Sequence, residues 1–137
     1  MPSQSPTHVL EIKTDTAEQF VDLTSKVKGL VQKSGIQSGL AVIYCQHTTA
    51  GITVQENTDP ALKEDILGAL ERAVPKAFPY KHNEENAHAH VRAALLGSSA
   101  TVIIDGGKLL LGAWQAIYLV ELDGPRRRAV QVKLVAG

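Results

Sequence analysis

Apolar residues fall along this chain in two rhythms, one near two residues and one near 3.6. Residues 7–14 alternate, with His8, Leu10 and Ile12 against Val9, Glu11 and Lys13, and predict a first strand. Thr16 and Gln19 stand at capping-box spacing, and Phe20, Leu23, Val27, Leu30 and Val31 follow at helical intervals. Gly35 then offers the left-handed stop of that first helix. Residues 40–46 and 51–56 favour strands. Asp59 is a good N-cap and Pro60 suits the first helical position. A second helix therefore runs to Pro75, with Leu62, Ile66, Ala69, Leu70 and Ala73 as its buried stripe.

The second half turns to strands. A short helix is expected over residues 85–96, with Ala87, Val91, Ala94 and Leu95 inward and Gly97 as its end. Residues 100–104 form a strand, and Asp105-Gly106-Gly107 a hairpin turn that needs positive φ. Residues 109–122 are one long strand or two broken at Gly112, and Asp123-Gly124-Pro125 turns the chain again. Val130, Val132 and Leu134 alternate in the last strand. Strands joined by tight turns run antiparallel. The expected fold is α+β: one domain over residues 1–137 with an antiparallel, sandwich-like β core and two or three flanking helices.

Composition narrows the partners. The chain has 137 residues, 44% of them apolar, which is enough for one hydrophobic core. Fourteen acidic residues balance fourteen basic ones, so no global field draws nucleic acid or an anionic membrane, and neither is expected. No apolar run approaches the roughly 20 residues of a membrane span. Residues 1–6 lack the basic-then-apolar pattern of a secretory leader, and the single Cys45 cannot form an internal disulfide. A cytoplasmic location is the expectation.

Candidate chemistry is concentrated in a few segments. Residues 46–60 pack an imidazole, threonine hydroxyls, carboxylates and amides between apolar strand-like residues. His47 falls where a strand ends, and Thr48 and Thr49 precede Gly51, so their hydroxyls and freed backbone N–H groups suit an anionic oxygen or simply satisfy the turn. Glu56 beside Asn57 suits a hard cation or polar ligand, whereas Asp59 has a sufficient role as a helix cap. Residues 82–90 hold three of the five histidines, and on a helix His88 and His90 lie about 200° apart, so at most one joins a shared site. His47, His82 and His90 together would make a three-imidazole site with an open position, the pattern of catalytic zinc; acid–base work without metal is the alternative.

Arg126 and Arg128 alternate onto one strand face as a phosphate or carboxylate clamp, or else pair with nearby Glu121 and Asp123 at a solvated edge. Trp114 is expected in the core or at a subunit contact, with Gln115 on the opposite face toward a ligand. Cys45 reads as a small buried hydrophobe rather than a nucleophile.

Taken in order, Gln46-His47-Thr48-Thr49-Ala50, Glu56-Asn57, Asp59-Pro60, His82, Ala89-His90, Leu96-Gly97-Ser98-Ser99, Gly112-Ala113-Trp114-Gln115 and Asp123-Gly124-Pro125-Arg126-Arg127-Arg128 closely resemble the YjbQ-like family. The similarity runs from about the first strand to the last, and the motifs are specific jointly rather than singly. It implies an α/β assembly around a β-sandwich, usually trimeric, with secondary thiamine-phosphate synthase activity. It carries over His47, Thr48, Glu56, Asn57, Asp59, His82, His90, Gln115 and Arg128 as polar site positions, and does not require histidine at position 88.

That reaction joins a pyrimidine pyrophosphate to a thiazole phosphate and expels pyrophosphate. Arg128, with Glu56 and Asp59 through a divalent ion (zinc or magnesium), would stabilise the leaving group. The chain has neither a long glycine-rich phosphate loop nor the length of a TIM barrel, so this activity is expected as a side reaction. The resulting expectation is a small, homotrimeric enzyme acting on a phosphorylated small molecule, with no nucleotide cofactor. Glu56, Asp59 and Arg128 are the catalytic candidates, His47, His82 and His90 the metal ligands, and Thr48, Asn57, Gln115 and Arg126 the ligand-binding groups. A non-catalytic metal- or ligand-binding module is the second expectation, and a structural oligomer the third.

Overall fold

A computed structural model describes residues 6–137, so the leader-free reading of residues 1–5 lies outside the described residues. The chain begins with β1 (Thr7–Lys13), β2 (Gln19–Asp22), α1 (Thr24–Ser34), β3 (Ser38–Cys45) and β4 (Ala50–Glu56). Two helices follow, α2 (Pro60–Ala73) and α3 (Ala87–Leu96). It closes with β5 (Ser99–Asp105), β6 (Lys108–Leu109), β7 (Gln115–Glu121) and β8 (Arg127–Ala136). All strand pairs are antiparallel and form two sheets, ordered β1-β8-β3-β5-β6 and β2-β7-β4. The expected α+β class with a two-sheet core is what the chain adopts.

The period-2 pattern dictates how the sheets stack. Ile12, Ile43, Val130, Val132 and Leu134 of the larger sheet face Ile52, Ile117 and Leu119 of the smaller, and Val27 and Val31 of α1 seal that core. Ala116, Tyr118 and Val120 point the other way from β7 and meet Ala89 and Ala93 of α3. Strand β7 is thus buried on both faces, which is why residues 116–122 read as a nearly continuous apolar run.

Several expectations are corrected. Residues 19–22 are a strand rather than the first turn of a helix. Gln19 Oε1 accepts from the Asp15 N–H at 2.8 Å and the Thr16 hydroxyl donates to the Glu18 carbonyl at 2.7 Å, so these groups stabilise a turn. Pairing of Phe20 and Val21 with β7 then overrides the helical spacing, and α1 starts only at Thr24. Of the two readings of residues 109–122, the broken one holds: β6 and β7 lie in different sheets, separated by residues 110–114, which include Gly112. Among the described residues, only β5 and β6 are both consecutive and paired, through Gly106 and Gly107 at φ 58° and 75°.

The helix faces also differ. Asp59 caps α2 as expected, its Oδ1 accepting from the Ala61 N–H at 2.9 Å, yet no α2 residue is fully buried, and Ala69 and Ala73 are exposed. On α3 the buried residues are Ala87, His88, Ala89, Arg92 and Ala93, whereas Val91 and Leu95 are exposed. The alanines let α3 lie close on the sheet. Arg92 tolerates full burial because it donates to the Val74 carbonyl, Glu18 and Glu71. No helix among the described residues is long and apolar enough to cross a membrane.

The turn from β7 to β8 crosses from one sheet to the other at Gly124. A Cβ there would collide with the Thr16 carbonyl oxygen and stand 2.8 Å from Glu121 Cγ. Gly124→Ala should therefore lower stability by about 1–3 kcal/mol in urea unfolding. Gly29→Ala, where a Cβ meets nothing, should raise it by a few tenths to about 1 kcal/mol.

Candidate functional site

The candidate site is built around a carboxylate that the strand pattern conceals. Glu121 closes β7 with no solvent exposure and cannot be left charged there without partners. It accepts from Arg128 Nε at 2.8 Å, Arg128 Nη2, the Thr14 hydroxyl at 2.7 Å, and the N–H groups of Leu122 and Asp123 at 3.0 and 3.1 Å. Burial alone would raise its pKa. The hydrogen bonds from Arg128, Thr14 and the Asp123 backbone outweigh burial and hold the carboxyl below its ordinary value. Arg128 Nη2 also donates to Thr49 Oγ1 at 2.9 Å and to the Thr49 carbonyl at 3.2 Å. Arg128 is thus not on a solvated edge: it is 4% exposed, and only Nη1 makes no hydrogen bond among the described residues.

His47 stands where β3 leaves the sheet. Cys45 is the last β3 residue paired with β8, opposite Val130, and the next N–H of β8, on Ala129, would lack a partner. It donates to His47 Nε2 at 2.9 Å, so the imidazole takes the place of the departed strand. A backbone N–H only donates, which fixes the neutral ring's proton on Nδ1. Burial first, then the nearby Arg128 charge, push the His47 pKa below its ordinary value. Burial likewise raises the Cys45 thiol, consistent with a packed hydrophobe.

Around these two side chains lies an open cleft of about 380 Å³. Gln46, His47, Thr48 and Thr49 line one wall, Arg126 and Arg128 another, and Glu84, Asn86 and His90 the third. The last wall is the entry to α3: Asn86 is the N-cap residue, and its Nδ2 donates to Asp123 Oδ2 at 2.9 Å. Arg126 Nη2 donates to the same oxygen at 2.7 Å, so one carboxylate aligns two walls. Asn86 Oδ1 is buried without a hydrogen-bond partner among the described residues.

Of the expected site residues, the fold brings His47, Thr48, His90, Arg126 and Arg128 together. His82 adjoins His90, with ring centroids 5.2 Å apart and edge-to-face. His88 faces a separate hollow beside Arg92, as its angular offset from His90 required. Glu56, Asn57, Asp59 and Gln115 do not join the cleft. They sit at the far end of β4, about 20 Å of extended strand from Thr49. There Glu56 pairs with Gln115, the Asn57 N–H donates to the Trp114 carbonyl at 2.9 Å, and Gln115 Oε1 accepts from the Gly112 N–H at 2.8 Å. Trp114 is 64% exposed and outside the core of this chain.

Among the expected metal ligands, His47 is already engaged through its Nε2. No cluster of three or more His, Cys, Asp or Glu groups among the described residues is disposed to hold an ion. Sequence reasoning missed Thr14, Glu84 and Asn86 as site groups, and it placed the arginine–Glu121 pairing at a solvated edge rather than in the interior. For Glu121 a signal existed: one carboxylate set between five apolar residues (116–120) and Leu122 implies a buried partner.

The family model described as "UPF0047 protein YjbQ-like" matches residues 8–137. The chain belongs to the UPF0047 YjbQ-like family. A UPF0047 protein of Methanocaldococcus jannaschii is 46% identical, with 91% of each chain covered. The UPF0047 protein YugU of Bacillus subtilis is 43% identical, covering 92% of this chain and 96% of that one. A crystal structure of a YjbQ/UPF0047 protein from Clostridium acetobutylicum superposes with TM-score 0.92 at 51% identity, over 93% of this chain and 99% of that one. In this YjbQ-like chain, the residues that carried the resemblance divide between the two ends of β4.

Two outcomes follow. Glu121→Ala should destabilise the protein by about 3–5 kcal/mol, because it leaves the Arg128 guanidinium buried and uncompensated. The double change Glu121→Leu with Arg128→Met should recover most of that loss in the same denaturant titration.

The second concerns pH. A folded imidazole with a lowered pKa lets the unfolded chain take up the proton first as pH falls. The contribution of His47 is therefore intact above about pH 6.5 and declines below it, until the folded ring itself protonates. His47→Gln, whose carbonyl accepts the same N–H, should flatten part of this acid slope in stability measured between about pH 5 and 8. His88, lowered chiefly by burial and Arg92, supplies a remaining slope.

Proposed function

We propose that the cleft binds the phosphate of a phosphorylated small molecule and that the chain acts on that molecule as a small enzyme. The observation that carries this reading is the convergence of two guanidiniums, two imidazoles and the Thr48 hydroxyl on one cleft, at the N-terminal end of α3. Guanidiniums match phosphate geometry, and a helix N-terminus adds positive potential. Arg126 is exposed and can turn from Asp123 to a ligand, whereas Arg128 is held rigid and contributes field and its free Nη1. The acid–base groups are His90 and Glu84, since His47 Nε2 is committed to the backbone.

Thiamine-phosphate synthesis is a side reaction within this reading, with the arginines stabilising expelled pyrophosphate. The distance of Glu56 and Asp59 from the cleft favours a second reading, a binding module without chemistry. A homotrimer in the cytoplasm is the setting we propose; exposed Leu95, Leu110 and Trp114 give it apolar surface for assembly.

Calorimetric titration with inorganic phosphate and pyrophosphate tests the core of the reading. Binding should weaken about tenfold in Arg126→Ala, on the order of one charge-assisted hydrogen bond. Incubation with the two thiamine-phosphate precursors and magnesium then separates enzyme from binder. Absence of phosphate and pyrophosphate binding at millimolar concentration would remove both readings.

A further inference from the structure

A separate hollow of about 260 Å³ opens on the face of α3 that carries His88 rather than His90. The His88 ring lines it, and that ring is only 8% exposed yet makes no hydrogen bond among the described residues. A buried polar group is normally partnered, and an imidazole has two nitrogens to satisfy. We propose that this hollow holds the ammonium group of a small organic amine, with His88 accepting one of its N–H groups and the surrounding carboxylates supplying the charge.

The charges around the ring select the sign of the guest. Arg92, one helical turn on from His88, donates to Glu18, Glu71 and the Val74 carbonyl. Two carboxylates share that one guanidinium, so the trio keeps one negative charge. Glu85 and Lys76 also line the hollow, and neither side chain makes an ion pair or hydrogen bond among the described residues. Asp123, the remaining carboxylate of the lining, is matched by Arg126. Three carboxylates (Glu18, Glu71, Glu85) against two cations (Arg92, Lys76) leave one negative charge uncompensated, the complement of a monovalent cation.

The ring itself suits an N–H donor. Burial first, then the charges of Arg92 and Lys76, keep the His88 pKa below its ordinary value, so near neutral pH one nitrogen is an acceptor. No three His, Cys, Asp or Glu groups among the described residues are disposed to hold a metal ion. The cation that fits is therefore one that needs hydrogen-bond acceptors rather than a coordination shell. Ala17 and Leu122 add apolar wall for a short carbon chain.

The experiment follows the His88 ring by NMR, its signals assigned by their loss in His88→Gln. Butylammonium, butanol or butyrate is added to the wild-type chain at about pH 7.5, where a ring of lowered pKa is neutral. Butylammonium should shift the His88 signals saturably, and the neutral and anionic probes should leave them in place. Lys76→Gln removes a competing positive charge and should tighten butylammonium about two- to fivefold, whereas Glu85→Gln should weaken it as much. Lys76 and Glu85 are exposed, so both variants should fold as the wild type does. Signals unmoved by all three probes leave the hollow to water and overturn the proposal. An equal response to butanol, or a preference for butyrate, overturns it too. So does a Lys76→Gln variant that binds butylammonium more weakly than the wild type.

Discussion

The buried pair of Glu121 and Arg128 is the interaction on which the rest of this architecture depends. It lies where β7 of one sheet gives way to β8 of the other, a corner at which no backbone ladder joins the two strands. Thr14, at the end of β1, binds the same carboxylate and also accepts from the Arg126 N–H at 2.9 Å. Thr49, at the start of β4, takes the remaining guanidinium contacts. Four strands, drawn from three stretches well separated in sequence, are thereby fixed by two ionised groups, each nearly saturated with partners. A buried ion pair is a weak source of net stability but a strict one of geometry, because every misalignment leaves a charge unsatisfied. The cleft inherits that rigidity: His47 and Arg128 hold their places because β8 and its neighbours cannot shift.

The relation of α3 to this corner explains how a cleft arises at all. Alanines at 89 and 93 bring the helix close to the outer face of β7, and Asn86 at its entry reaches Asp123 just beyond β7. The helix start therefore stands beside the arginine-bearing turn. The same closeness confines α2 to the margin, where its leucines are only half-covered.

Much of this was legible in the amino-acid order, and the failures have physical causes. The caps at Asp59, Gly35 and Gly97 and the glycine hairpin at 106–107 declared themselves, because each depends on local chemistry. The 19–22 strand did not, since its four residues satisfy helical spacing and only pairing with β7 decides otherwise. Polar density along the chain identified reactive-looking segments but not their meeting. Residues 47–49 and 56–59 are neighbours in sequence, yet the straight run of β4 between them carries Glu56 and Asp59 away from His47. Conversely, Arg128 and Glu121 are seven positions apart and meet across a corner that periodicity does not reveal. The helical offset between His88 and His90 was legible because it follows from 100° per residue alone.

Asp123 carries a consequence of its own. Its carboxylate already occupies Arg126, so it behaves as an internal competitor for whatever anion visits the cleft. If the cleft takes the phosphate proposed above, that oxyanion gains only the difference between itself and that tethered rival. Occupancy is tempered accordingly, and departure is assisted, because the displaced carboxylate stays within reach to reclaim the guanidinium. On the phosphate reading, such a resident understudy favours exchange of guests over their storage.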